Sequence, residues 1–440
     1  MTMLNMKKKY AIACCSLLLV ACNESFPGLY APVVDEDNPH PEVIEDRMPI
    51  KLSATDPSFS IVTRGLGGFE DWGVEANRER WRKADFYVYA FLAKNHEFAG
   101  SVNYAGEEVN LMLHNDDGRT PYCLVKNRKA KFSEAPEPSL EWVRGEDGAE
   151  YQPYYSVSYP DYMFNFFIYH IDNAFVYHTV EEPSRVVMDV SVDGTQDIIS
   201  GYAHATSADV GNLEDYDDES LYLMNYWKKL VYSARTGHRH IHPRFFLKHQ
   251  MTKLNFGVKG LSEENSDKIQ VLAVGVKARV RGEFTVARDW TGGWSWDTET
   301  AGAPDLGIRW GEEKDTMFVA TDQTPEDEFG AAYRQEKCVF DPMVTVDYNE
   351  ESRLGDILVA PDDSYSIYVR YKMTDRPNEI FTATYNKVGF AEEGKRFEPG
   401  KVYNVTLRIY GPQSIGLAVD NSGLQWEQGD DVDMEHGEDM

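Results

Sequence analysis

Cysteine is scarce in this chain, with five among 440 residues. Cys14 and Cys15 lie in an apolar leader, which leaves Cys22, Cys123 and Cys338. Cys123 and Cys338 are far apart and no CxxC pair occurs, so neither a disulfide framework nor a thiolate metal site is indicated. Stability has to come from packing. Basic residues are also in deficit: 44 Lys and Arg face 73 Asp and Glu, a formal net charge of −29. That balance argues against binding nucleic acid or adhering to anionic lipid. Long apolar runs are lacking as well, and the one from Tyr10 to Ala21 is too short to span a bilayer as a helix. No GxSxG, P-loop or HExxH pattern occurs. Carboxylates are abundant but nothing selects a catalytic pair, so the chain reads as a non-enzyme with no cofactor or metal.

The leader itself is informative. Lys7-Lys8-Lys9 precede the apolar run, and Leu19-Val20-Ala21-Cys22 closes it. A basic segment, an apolar segment and a small residue before the cut describe a secretory signal over residues 1–21. The cysteine at the cut describes a bacterial lipobox, with Cys22 lipidated as the first mature residue. Lipid on Cys22 anchors a protein to a membrane without spanning it. Pro27, Pro32, Pro39 and Pro41, mixed with acidic residues, make residues 22–48 an extended tether.

The stretch from Pro49 to Gly68 is the element around which the rest of the chain is organised. Ile50, Leu52 and Ala54 alternate with polar neighbours, and Phe59 and Ile61 resume the alternation on odd numbers after Asp56-Pro57. Two short half-buried strand pieces with a bend between them are expected. Next comes Arg64-Gly65 in Gly-rich chain, a site a trypsin-like protease can enter. Cutting there would detach a strand and leave an open edge in its sheet.

Further on, 83–93 is apolar on both faces and reads as a central strand. Expected strands also cover 107–113 and the alternating 186–192, while 126–148, rich in Pro, Glu and Lys, reads as a loop with one strand near Trp142, and 151–171 is dense in Tyr and Phe. A short helix is expected within 217–231. After a His- and Arg-rich junction the alternation restarts at Phe245 and continues through 270–286, 356–359, 364–373 and 401–410. Tyr403, Val405, Leu407 and Ile409 share one face of the last strand. Many short strands with Gly and Pro turns predict an all-β protein of sandwich domains with a few short helices. The expected units are 49–240, 241–412, and a C-terminal segment 413–440. A Tyr count of 26 fits β-rich exported proteins.

Several separated pieces, taken in order, resemble the fimbrillin family, the subunits of lipoprotein-derived (type V) pili of Gram-negative bacteria. They are the lipobox, Thr63-Arg64-Gly65 after an N-terminal strand, the segment Tyr154 to Tyr169, and Phe246 to Phe256. Asp356 to Pro361 followed by Tyr365 to Tyr371, and Phe397 to Tyr403 followed by Trp426, complete the set. The resemblance implies two tandem transthyretin-like β-sandwiches and an outer-membrane lipoprotein precursor that reaches the cell surface as part of a pilus. It also implies cleavage at Arg64, assembly by donor-strand exchange with other pilus subunits, and adhesion to a host or bacterial surface receptor. The donor strand would carry Ile415, Leu417, Val419, Leu424 and Trp426, unless that stretch simply forms the last strand of its own sandwich. Beyond them, 427–440 holds seven carboxylates and no Lys or Arg, where a stalk subunit would end in more apolar sequence. That leaves tip, minor and anchor positions open.

Three constellations have a functional and a bland reading. His238, His240 and His242 would share a face if they lay in a strand, as metal-ligating His can, or they belong to a solvated linker. Trp290, Trp294 and Trp296 sit in a Gly-rich loop that could stack on sugar rings, or they pack on the sandwich. The first option makes a surface glycan-binding lipoprotein the alternative function. Asp215, Asp217, Asp218 and Glu219 could hold Ca²⁺ but lack EF-hand spacing and read as a solvated turn.

Overall fold

The computed structural model describes residues 47–54, 75–92, 123–134, 139–144, 152–157, 164–172, 175–182, 184–203, 232–238, 240–263, 266–288, 304–319, 344–390, 394–411, 414–420 and 427–428. The chain is mainly β, as its alternating patterns predict. The first half contributes β1 (Arg47–Pro49), β2 (Leu52–Ala54), helix α1 (Glu75–Lys83), β3 (Phe86–Leu92), β4 (Cys123–Phe132) and β5 (Ser139–Trp142). It continues with β6 (Tyr154–Ser156), β7 (Phe164–Ile171), β8 (Phe175–Glu182), β9 (Arg185–Ser191), β10 (Ile198–Ala203), helix α2 (Ala234–His238) and β11 (Arg244–His249).

Seven of these strands form a closed barrel in the order β10-β11-β2-β5-β4-β3-β7, with β7 pairing back onto β10. Closure removes sheet edges, which would otherwise expose unpaired N–H and C=O groups. The interior is aromatic and aliphatic. Phe86, Val88 and Ala90 of β3, Phe166 and Ile168 of β7, and Trp81 of α1 share one core. The alternate residues Tyr89, Phe91, Phe167 and Tyr169 belong to a second core outside the barrel. This is why β3 and β7 are apolar on both faces.

The second half adds β12 (Thr252–Gly260), β13 (Ile269–Arg279), β14 (Arg281–Arg288), β15 (Ile308–Trp310), β16 (Lys314–Phe318) and β17 (Val344–Thr345). Then come β18 (Ser352–Val359), β19 (Ser364–Met373), β20 (Arg376–Gly389), β21 (Lys401–Gly411), β22 (Ser414–Asp420) and β23 (Glu427–Gln428). Two five-stranded sheets are built on β18-β12-β21-β22 and β16-β13-β19-β20. Leu254, Phe256 and Val258 of the first sheet share a core with Val274, Val276 and Val369 of the second. Tyr403, Val405, Leu407 and Ile409 are all buried in it, as their shared face requires. On the other face of β12, Lys253 and Asp356 form an ion pair at 2.9 Å, 2% and 0% exposed.

A boundary expected near residue 240 is crossed twice. β11 lies beyond it yet closes the barrel, pairing with β10 and β2. β9 lies before it yet pairs with β14 from Arg281↔Ser191 to Arg288↔Arg185, in a sheet ordered β15-β14-β9-β8. Tyr169 on the barrel's outer face packs edge-on against Phe284 of β14. The two halves therefore share one sheet and one hydrophobic core. β1 also begins at Arg47, inside the expected tether. The strand expected at 107–113 and the helix within 217–231 lie outside the described residues.

Candidate functional site

The segment from Arg47 to Ala54 enters the barrel as a strand of period 2. Met48, Ile50, Leu52 and Ala54 are 1%, 0%, 6% and 4% exposed, whereas Arg47 and Lys51 are exposed. The first piece, β1, pairs antiparallel with β6, from Arg47↔Ser156 to Pro49↔Tyr154. At Ile50 the chain leaves this ribbon and its backbone is held by individual hydrogen bonds. The Ile50 N–H donates to the Pro153 carbonyl at 2.9 Å. Its carbonyl accepts from Trp142 Nε1 at 2.7 Å and Gln152 Nε2 at 2.8 Å. β2 then fills the gap between β5 and β11. It is antiparallel to β5 through Leu52↔Leu140 and Ser53↔Ser139, and parallel to β11 through Arg244↔Ser53 and Phe245↔Ala54. Ser53 N–H adds a bond to the Pro243 carbonyl at 2.9 Å.

These side chains pack into the core of the barrel. Ile50, Leu52 and Ala54 share a core with Leu140, Tyr155, Ile241 and Phe245. Met48 lies over α2, where Gly237 leaves room: a Cβ there would stand 3.0 Å from Met48 Cγ. Burying three side chains of the size of Met, Ile and Leu contributes about 5–8 kcal/mol. The strand is thus held firmly by apolar contact, although only a few ladder positions tie it to its neighbours. If it left, β5 and β11 would face each other across an open gap lined by that core.

Two polar groups sit against the strand. Tyr155, opposite Met48 in the ladder, is 2% exposed, and its hydroxyl has no hydrogen-bond partner among the described residues. Burial, with Tyr232 nearby, raises its pKa well above the usual phenol value. His242 precedes Pro243, the acceptor for Ser53. Its Nδ1 is buried and unpartnered among the described residues. Burial first, then the charge of Lys51 and then His240, bring its pKa down to about 4.

The three histidines do not lie on one strand. His238 ends α2, His240 takes a left-handed backbone with φ of 58°, and only His242 is largely enclosed. Among the described residues no group of three His, Cys, Asp or Glu is placed to hold a metal ion. Ile415, Leu417 and Val419 lie in β22, paired antiparallel with β21 opposite Ile409, Leu407 and Val405. In this structure they form the edge strand of their own sheet. Cys22, Arg64, Gly65, Trp290, Trp294, Trp296, Leu424, Trp426 and the acidic cluster Asp215 to Glu219 lie outside the described residues. The roles of β11, Trp142 and Gln152 in seating the N-terminal strand were not legible in the sequence. No local pattern announces which carbonyl a distant Trp or Gln will reach.

No protein-family model matches the chain, and no curated protein matches it. Solved structures similar to it include a fimbrial protein from Bacteroides vulgatus, at 14% identity and a TM-score of 0.42, covering 85% of this chain and 98% of that one. A candidate cell adhesion protein from Bacteroides uniformis has 13% identity and a TM-score of 0.40, covering 85% and 96%. The fimbrial anchor protein Mfa2 from Porphyromonas gingivalis has 10% identity and a TM-score of 0.31, covering 78% and 91%. The similar structures are of fimbrial and cell-adhesion proteins.

Proposed function

We propose that this chain is a non-enzymatic subunit of a type V pilus that serves adhesion at the cell surface. It is exported as an outer-membrane lipoprotein precursor anchored through Cys22. A trypsin-like protease cuts between Arg64 and Gly65, and the segment containing Met48, Ile50, Leu52 and Ala54 then leaves the barrel. A strand from another subunit replaces it. The observation that carries this reading is the seating of β2. A strand from before Arg64 closes the barrel, and its loss would open a gap of strand width with apolar walls and unpaired backbone.

The chain's own sequence supplies a matching donor. Ile50-Lys-Leu52-Ser-Ala54 and Ile415-Gly-Leu417-Ala-Val419 share the pattern Ile-x-Leu-x-small aliphatic. An edge strand carrying Ile415, Leu417 and Val419, continued by Leu424 and Trp426, could occupy the pocket that Ile50, Leu52 and Ala54 vacate. Gly411-Pro412 before it would act as the hinge. Cleavage makes exchange possible because an uncut strand is tethered at high effective concentration.

The test mixes protease-treated protein with a partner subunit and follows polymer formation. Arg64→Ala should block the chain as acceptor, and truncation before Ser414 should block it as donor only. Assembly that proceeds unchanged with Arg64→Ala would remove cleavage as the trigger.

A further inference from the structure

A groove of about 560 Å³ lies on the outer face of the sheet built on β13, where Ser191 to Asp193 meet it from the first half of the chain. Its origin is visible in the strand register. On this face β13 presents Ala273 and Gly275, two small residues. On one side Phe318 of β16 stands opposite Gly275. On the other, Tyr368 and Arg370 of β19 stand opposite Gly275 and Ala273, with Thr382 of β20 beyond Arg370. Small residues on a central strand between large ones on its neighbours make a trough along the sheet. Phe318 leans across Gly275: a Cβ there would be 3.2 Å from its ring.

The charges in the trough are unequally occupied. Arg281 is paired with Glu313 at 3.4 Å. Asp193 accepts from the Thr195 hydroxyl at 2.7 Å, and Asp315 from the Thr316 N–H at 2.7 Å. Arg370 is exposed, and its guanidinium makes no hydrogen bond or ion pair with any described residue. An unoccupied guanidinium fork suits a carboxylate, which it can bind through two parallel hydrogen bonds. Ser191, Tyr368 and Thr382 line the same groove and bring hydroxyls, and Phe318 and Tyr368 bring aromatic rings. Hydroxyl partners, a ring face and one anion fork match a sugar ring that bears a carboxylate. A peptide fits less well, because β13 is paired on both sides and has no free edge to add a strand to. The volume is in the range of small-ligand sites.

We propose that this trough binds a carboxylated sugar residue, of uronic or sialic type, at the end of an oligosaccharide, with Arg370 holding the carboxylate. This goes beyond the pilus reading and does not depend on strand exchange. The test is calorimetric titration of the full chain with a trisaccharide ending in glucuronic acid, its neutral glucose-ended counterpart, and an oligoglutamate peptide. The acidic sugar should bind at least tenfold more tightly than either of the others. Arg370→Gln should weaken it tenfold or more. Thr382→Glu, which places a carboxylate beside Arg370 on an exposed position, should do the same. Arg376→Gln, on the same sheet but paired with Glu379, should leave binding unchanged. The proposal is overturned if the acidic sugar does not bind at millimolar concentration, or binds no better than the neutral one. Undiminished binding by Arg370→Gln, or a preference for oligoglutamate, overturns it equally.

Discussion

At the scale of single residues, two groups report on how the chain tolerates buried polarity. His242 titrates at about 4 when folded, against 6.5 for an unperturbed imidazole. Between those values the unfolded chain binds the extra proton, so stability falls as pH drops through this window. Its stabilising contribution is complete above pH 6.5 and lost towards pH 4. Lys51, which helps hold the pKa down, sits on the N-terminal strand, so a protonated His242 repels that strand. The urea midpoint should therefore fall between pH 7 and pH 5, and fall less in His242→Phe. Equal losses in both proteins would acquit His242. The Lys253–Asp356 pair behaves differently, because each charge is buried against the other, with Arg353 3.7 Å from Asp356. Lys253→Met leaves a buried carboxylate with less compensation and should cost about 3–5 kcal/mol. Adding Asp356→Leu should recover most of the loss. A double variant as unstable as the single would show that the pair is not the unit of interaction.

At the scale of elements, β2 and β22 carry the same pattern of apolar residues in opposite circumstances. β2 lies between two neighbours in a closed barrel, whereas β22 has one neighbour at a sheet edge. Removing an edge strand costs its own contacts and leaves the ladder behind it intact. Behind β22, the ladder of β21 with β12 runs without interruption from Lys253↔Val402 to Gly260↔Ile409. Truncation before Ser414 should accordingly preserve β-type circular dichroism and a cooperative melt. Loss of cooperativity would mark β22 as integral to its sandwich and unable to leave it. Leu52→Ala, by contrast, opens a cavity inside the barrel and should destabilise the uncut chain by about 2–5 kcal/mol. A change in urea midpoint too small for that would mean the barrel collapses readily around a missing side chain.

At the scale of the whole molecule, the two halves are joined by pairing as well as by the chain. A fragment ending at residue 243 lacks β11, which touches both β10 and β2. A fragment beginning at Phe245 lacks β9, the partner of β14. Neither should show the cooperative melt of the intact protein by circular dichroism. A Phe245–Met440 fragment that melts like the full chain would mean that the shared sheet is dispensable. The same joining places Ser191 to Asp193 against the second half, so the proposed sugar trough exists only when both halves are present.

Period-2 alternation is a local property of extended chain, and the features that depend on it were legible before any fold was known. It selected many of the strands, the inward faces of β21 and of the N-terminal segment, and the mainly β class. It missed β7, β8, β10 and β20, and read as loop the charged stretch that forms β4, whose Lys and Arg face outward between buried neighbours. The same locality hid α1, whose Glu-Ala-Asn-Arg-Glu-Arg-Trp-Arg-Lys sequence has one large apolar residue, Trp81, to anchor it. Two-sided apolar strands such as β3 announce burial on both faces without saying against what. That one face lines a barrel and the other belongs to the core that also holds residues of β9 and β14 became visible only in the folded chain. Folding likewise moved β11 into that barrel, set His242 beside the N-terminal strand, and aligned Gly275 between Phe318 and Tyr368. Each of these depends on pairing between residues far apart in sequence. Such pairing is chosen by the packing of the whole chain, because many registers satisfy any one strand's alternation.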